Sequence, residues 1–120
     1  MGTRVMLRAA LAALLLCSPA SADEWNALTG DRIRTALSAR VLGYPEGKTQ
    51  NFLADGRTLS EGGGTSQWGR WRVEGDRYCS VWPPSDRWSC YGIEAAAGGQ
   101  DLRFVSQGGF VTTGRYIDLQ

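Results

Sequence analysis

The residues of this chain that most clearly predict chemistry are two cysteines, Cys79 and Cys90. A hairpin folded about Pro84 and Ser85 places these two residues opposite each other on neighbouring antiparallel strands. Residues in such positions have Cα atoms roughly 4.5–5.5 Å apart, a distance that a disulfide bridges. We therefore predict a structural Cys79–Cys90 disulfide, which contributes about 3 kcal/mol in the chain-entropy model.

A metal site or a reactive dithiol is the alternative use of these thiols. The two residues lie eleven positions apart and the chain contains no histidine, which makes a poor zinc site. Their spacing also differs from the C-x-x-C form of a redox motif. We accordingly predict no metal ligands and no cofactor.

Other candidate catalytic groups are sparse. Without histidine, histidine triads are excluded, and no base is visible that would activate the hydroxyl of Ser85 beside Asp86. The glycine-rich segment 62–66 lacks the lysine and the following helix of a P-loop. A catalytic pair of carboxylates would have to come from three glutamates, although surface strand ends are the usual position of such residues. They are Glu61, Glu74 and Glu94. The sequence therefore predicts a protein without enzymatic activity.

Aromatic residues near the hairpin are the better candidates, and they point to binding. Four of the five tryptophans lie in or beside residues 69–93. Tryptophan and tyrosine commonly anchor recognition sites. In the alternative interpretation Trp82 packs inward and Trp88 shields the disulfide. The candidate binding rim comprises Trp82, Pro83, Pro84 and Trp88.

Residues 1–22 have the pattern of a signal peptide, with Arg4 and Arg8 before an apolar stretch and Ala20-Ser21-Ala22 as the cleavage site. An acylated Cys17 is the alternative, but Leu16 before it is not the small residue that lipoprotein signals prefer. We expect a single domain over residues 23–120, in the periplasm or secreted. Its 11 basic and 12 acidic side chains give no electrostatic case for binding nucleic acid or an anionic membrane. We expect no membrane insertion after signal cleavage.

The elements that position these residues follow from periodicity and turn signals. Residues 29–38 predict a helix with Thr29 as N-cap and with Ile33 and Leu37 on its apolar face. Beyond Arg40, short β-type segments alternate with glycine and proline turns. Asp55-Gly56 and Gly75-Asp76 predict two-residue hairpin loops. The predicted strands are 40–44, 50–54, 57–61, 67–74, 77–82, 87–94, 101–106 and 110–118.

Eight short strands with tight connections predict an all-β protein, an up-and-down antiparallel barrel preceded by one short helix that covers an open end. Cys79, Trp88 and Cys90 fall on the outer face, so the disulfide lies outside. We predict an interior largely filled by side chains, which leaves binding to the rim loops or the outer wall. The predicted interior consists of Phe52, Leu59, Trp71, Val73, Tyr78, Trp82, Tyr91, Ile93, Leu102 and Phe104.

Three segments together carry a family resemblance: LTGDRIRTALSARVLGY, NFLADGRTL and GRWRVEGDRYC, the last followed by SCYGIE and LRFV. From about Leu28 to Val105 the chain resembles a group of small exported bacterial proteins of unknown function. The resemblance implies a lipocalin-like eight-stranded barrel with a similar cysteine pair, and it supplies no catalytic residue. The architecture is also similar to that of periplasmic protease and lysozyme inhibitors.

We therefore expect a monomeric, non-catalytic binding protein whose partner is an unidentified protein or small ligand. The first alternative is an inhibitor of an exported hydrolase, acting through Asp23-Glu24-Trp25 or a loop rim. The second is an envelope structural or stress protein without a discrete ligand.

Overall fold

The structure is a computed structural model that describes Gly2 and residues 24–118. The predicted signal peptide and Cys17 lie outside the described residues. No helix in the described part of the chain is long and apolar enough to cross a membrane.

Nine strands and one helix form the described part of the chain. They are β1 (Trp25–Ala27), α1 (Gly30–Leu37), β2 (Arg40–Gly43), β3 (Thr49–Phe52), β4 (Arg57–Gly62), β5 (Thr65–Glu74), β6 (Arg77–Val81), β7 (Ser89–Ala96), β8 (Asp101–Val105) and β9 (Val111–Tyr116).

Strands β2 to β9 form a closed, antiparallel, up-and-down barrel. Each strand pairs with the next along the chain, and β9 returns to pair with β2 through Leu42 and Tyr116. The predicted fold class, an all-β eight-stranded barrel with one short helix before it, is confirmed. Closure leaves the barrel strands without a free edge along most of their length, which removes a template for aggregation.

The sequence analysis missed strand β1. It forms because β7 is longer than β6: residues 89–91 of β7 pair with β6, whereas 94–96 pair with β1. Strand β1 thus extends the wall beyond the end of β6. Three residues are too few to show the alternation that predicts a strand.

The register of the central hairpins agrees with the predicted one. Cys79 lies opposite Cys90, and Val73 lies opposite Tyr78. Trp71, Tyr78 and Ile93 are buried inside, as predicted. Leu59 was wrongly assigned to the interior, because Thr58 is the inward-facing neighbour, fully buried opposite Phe52. A one-residue difference of parity moves a side chain to the other face of a strand.

One of the two predicted two-residue turns is present. Glu74 pairs directly with Arg77, so Gly75-Asp76 is a two-residue loop, with Gly75 at φ 56°. The Asp55-Gly56 turn is longer than predicted. Leu53 N–H donates to Arg57 C=O at 2.8 Å, and the loop between that pair includes Ala54.

Helix α1 closes one end of the barrel with Ile33 and Leu37, both fully buried. Thr29 occupies the N-cap position, but its side chain makes no capping hydrogen bond. Asp76, in the hairpin loop after β5, accepts a hydrogen bond from Gly30 N–H at 2.9 Å instead. The carboxylate that completes this helix N-terminus therefore comes from a residue 46 positions away.

The hydrophobic core lies between the helix and the middle of the barrel. Phe52 stands at its centre, with ring centroids of Trp71 at 5.9 Å, Tyr78 at 5.8 Å and Phe104 at 6.4 Å. The indole N–H of Trp71 donates to Leu53 C=O at 2.9 Å, so the polar atom of this buried ring is satisfied.

Candidate functional site: a cavity at the open end of the barrel

The two ends of the barrel differ in what covers them. The helix end carries α1 and the three short connections after β3, β5 and β7. The opposite end, called the open end here, carries four connections: residues 44–48, 63–64, 82–88 and 106–110. Since the strands alternate in direction, these four loops surround one mouth.

A cavity of about 620 Å³ occupies the open half of the barrel. The prediction of a largely filled interior is therefore wrong for this half, although it holds beside the helix. The inward positions of the open half include small and polar residues, which leave space unfilled. In the helix half, large aromatic residues fill the corresponding space. The lining comprises Tyr44, Pro45, Glu46, Lys48, Gln50, Ser60, Tyr78, Ser80, Trp82, Tyr91, Phe104, Val111, Thr112 and Thr113.

Trp82 forms part of the cavity wall because Gly69 makes room for its ring. A Cβ atom at Gly69 would lie 2.6 Å from Trp82 Cε3 and 2.7 Å from Val81 O, which no side chain tolerates. The indole N–H of Trp82 donates to Ser80 Oγ at 3.3 Å. The ring is thus held from two sides while one part of it remains accessible.

A hydrogen-bonded group of neutral side chains lies deep in the cavity. Gln50 is buried, and its Oε1 accepts from the Tyr44 hydroxyl at 2.8 Å. Its Nε2 donates to Thr58 Oγ1 at 2.9 Å and to the Tyr78 hydroxyl at 3.2 Å. Thr58 in turn donates to Asn51 C=O at 2.8 Å. A buried polar network satisfied in this way fixes the rotamers of its members.

Two phenols of the cavity, Tyr44 and Tyr78, stay neutral at physiological pH. Burial, assisted by the neighbouring phenol of Tyr78, raises the pKa of Tyr44 well above its ordinary value. Burial also raises the pKa of Tyr78, against the opposing hydrogen bonds from Ser80 and Gln50. Among the described residues, the lining includes two that are charged, Glu46 and Lys48, and both are exposed at the mouth. The deep part of the cavity therefore suits an uncharged group.

The predicted binding rim divides between two surfaces. Trp82 lines the cavity, and Pro83 and Pro84 are exposed in the 82–88 loop beside its mouth. Trp88 lies instead on the outer wall, where the guanidinium carbon of Arg72 stands 3.8 Å from its ring centroid. Sequence reasoning did not find Tyr44 or Gln50, although Gln50 alternates with Phe52 in β3 and so shares its inward face.

The predicted disulfide is present on the outer face, with an S–S distance of 2.00 Å and a Cα–Cα distance of 4.0 Å. A Glu74 carboxylate oxygen lies 3.4 Å from Cys79 Sγ and 3.8 Å from Cys90 Sγ. Both sulfurs are committed to the disulfide, so this cluster offers one carboxylate and no thiolate to a metal. A structural disulfide indicates an oxidising, non-cytoplasmic environment.

The other candidate carboxylates lie apart from the cavity. Glu74 forms an ion pair with Arg72 at 2.8 Å on the outer wall, and Glu94 stands 3.9 Å from Arg103. Glu61 is exposed near the end of β4. The lining of the cavity includes none of the three.

The segment predicted for hydrolase inhibition is attached to the wall where the structure describes it. Trp25 belongs to β1 and lies opposite Ala96, with the guanidinium carbon of Arg103 3.9 Å from its ring centroid. Glu24 C=O accepts from Ala97 N–H at 2.9 Å. Asp23 lies outside the described residues.

Comparison with protein-family models, with curated proteins and with solved structures finds no match. The barrel and its disulfide are therefore established by the structure alone, and the family resemblance of the sequence remains a prediction.

Proposed function

We propose that this protein is a non-catalytic binding protein, periplasmic or secreted, whose open-end cavity holds one small, uncharged, amphipathic molecule. The observation that carries the proposal is a cavity of about 620 Å³ with aromatic walls and a neutral, hydrogen-bonded floor. Ligand cavities in proteins span about 300–1,000 Å³ and are mostly apolar with a few fixed polar groups.

Each part of the lining has a distinct role in this proposal. Trp82, Tyr91 and Phe104 contribute the apolar contact area that supplies most of the affinity. Ser60 and Ser80 offer hydroxyls that both donate and accept. The Gln50 network orients the ligand, because its members already hold one another in place. An ionised ligand is disfavoured, since no counter-charge lies below the mouth.

The test uses the neutral aromatic probe N-phenyl-1-naphthylamine, whose fluorescence rises in apolar surroundings. We expect saturable binding of one probe per chain. Trp82→Ala should weaken it about tenfold, which corresponds to the loss of roughly 1.4 kcal/mol of aromatic contact. Trp68→Ala is the matched control, because Trp68 lies on the outer wall and is half exposed.

The pH dependence provides a second readout. Affinity for this neutral probe should stay constant between about pH 5 and 9, because the raised pKa values keep the deep phenols protonated throughout. Absence of saturable binding, or equal losses in Trp82→Ala and Trp68→Ala, would overturn the proposal.

A further inference from the structure

The outer face of β5 presents a row of aromatic and basic side chains that neither the barrel core nor the cavity uses. Trp68, Arg70 and Arg72 alternate with the buried residues Gly69 and Trp71, so all three point outward. The first and last of them lie about 13 Å apart at roughly 3.3 Å per residue. This surface is called the outer stripe below, and it includes the neighbouring Arg57 and Trp88.

Two arginines of the outer stripe lie directly opposite each other. Arg57 of β4 pairs in register with Arg70 of β5. Like charges in such positions destabilise a sheet. Arg57 is compensated by Asp55 at 2.8 Å, and Arg72 by Glu74 at 2.8 Å. The ion pairs of the described residues do not include Arg70, so this guanidinium lies beside another cation and has no carboxylate in direct contact.

The stripe also offers flat apolar surface next to that cation. Trp68 is 50% exposed, and the guanidinium carbon of Arg57 lies 5.3 Å from its ring centroid. Two clefts of about 580 and 500 Å³ adjoin here and share Asp55. The first includes Trp68, whereas the second includes Arg57, Arg70 and Trp88. A ligand in these clefts meets an aromatic face and an arginine at once.

We propose that the outer stripe binds an acidic saccharide, with a carboxylate on Arg70 and a sugar ring on Trp68. A planar guanidinium donates two parallel hydrogen bonds to a carboxylate, and the bound negative charge relieves the repulsion between the two opposed arginines. The C–H face of a sugar ring buries apolar area against the indole. This site is distinct from the cavity and does not depend on the function proposed for it.

Charge favours a saccharide over a nucleic acid. The chain carries a net charge of only +1, whereas protein surfaces that bind nucleic acids are strongly basic. Asp55 and Glu74 flank the arginines and would repel the closely spaced phosphates of a polynucleotide. A uronic acid ring offers one carboxylate to Arg70 and presents its uncharged C–H face to Trp68, which is half exposed.

The experiment measures binding of a galacturonic acid tetrasaccharide by calorimetry. We expect Arg70→Gln to weaken binding about tenfold, since it removes a charge-assisted contact. Arg115→Gln is the matched control, with an expected change below twofold. It removes the same charge from β9, four strands away around the barrel in either direction. Trp68→Ala should also weaken binding, and added salt should weaken it further.

Three outcomes would show that the acidic saccharide is the wrong ligand. The first is equally tight binding of the methyl-esterified tetrasaccharide. The second is displacement of the acid by inorganic sulfate together with no effect of Trp68→Ala. The third is tighter binding of a single-stranded oligonucleotide. Each identifies another chemistry and overturns the proposal. Absence of binding at millimolar concentration overturns it as well.

Mapping on the unmodified protein keeps the test independent of the variants. Amide chemical shifts in β4 and β5 should move on addition of the acid. Shifts confined to the cavity lining would contradict the proposal. Arg70→Gln should leave binding of N-phenyl-1-naphthylamine unchanged, so the two sites succeed or fail separately.

Discussion

The helix end and the open end of this barrel are built from the same eight strands but serve different purposes. At the helix end, Leu37, Phe52 and Leu102 are at most 1% exposed. At the open end, Tyr44, Trp82 and Tyr91 remain partly accessible around a cavity of about 620 Å³. The difference arises from what covers each end, an amphipathic helix in one case and four loops in the other.

The proposed function assigns stability to one end of the barrel and binding to the other. A domain of about 100 residues buries only about 60–70% of its unfolded surface, so it has little stability to spare. Here close packing is concentrated beside α1, while the open half relies on a hydrogen-bonded network around Gln50. Loops on a rigid scaffold are the usual position for binding residues.

Truncating one tryptophan from each half tests whether the two halves of the barrel are packed differently. Trp71→Ala should lower the free energy of unfolding by about 3–5 kcal/mol, because it removes a large buried ring and leaves a cavity. Trp82→Ala should cost only about 1–2 kcal/mol, since its ring is partly exposed and buries less apolar area. Urea unfolding at neutral pH measures both.

The two variants should also differ in function. Trp82→Ala should lose affinity for N-phenyl-1-naphthylamine while remaining folded. Equal losses of stability in the two variants would show that the open half is packed as tightly as the helix end. That result would contradict the difference in packing described above.

Loss of the disulfide should have the next largest effect. Cys79→Ser combined with Cys90→Ser should cost about 2–4 kcal/mol, because the cross-link restricts the unfolded chain. The bond also closes the 82–88 loop, so the double variant should bind the cavity probe more weakly. Denaturation with and without reductant measures the effect, and the double variant should not respond to reductant. Free thiols titrating in the native protein would contradict the prediction.

The smallest effect concerns the first turn of α1 at the helix end. Asp76→Ala should lower stability by about 0.5–1 kcal/mol, because the carboxylate accepts from Gly30 N–H and faces the positive end of the helix. Thr29→Ala should change it by less than about 0.5 kcal/mol, because the Thr29 side chain makes no capping bond. Thermal unfolding of both variants distinguishes the two roles. A larger loss in Thr29→Ala would mean that local capping dominates.

Much of the fold was predictable because its signals are local. Alternation, the spacing of glycines and prolines, and the two cysteines indicate the eight barrel strands, the helix and the disulfide. Features that depend on distant partners were missed. Strand β1 exists only because β7 extends past β6, and Leu59 faces outward because of the register of β4.

The candidate site was less predictable. Trp82 was identified from its position beside Pro83 and Pro84, and it does line the cavity. Trp88 was grouped with it in the candidate rim, yet it lies on the outer wall beside Arg72, the face to which the predicted register assigned it. Tyr44 and Gln50 carry no local signal of function.

The eight barrel strands, the Gly75-Asp76 turn and the pairing of Cys79 with Cys90 follow from the sequence alone, since these depend on neighbouring residues and on periodicity. Only the tertiary structure decided where the interior is filled and where it is empty. Interior volume depends on how side chains from all eight strands meet across the barrel. The same applies to the opposition of Arg57 and Arg70, which belong to separate strands and become neighbours only through the register.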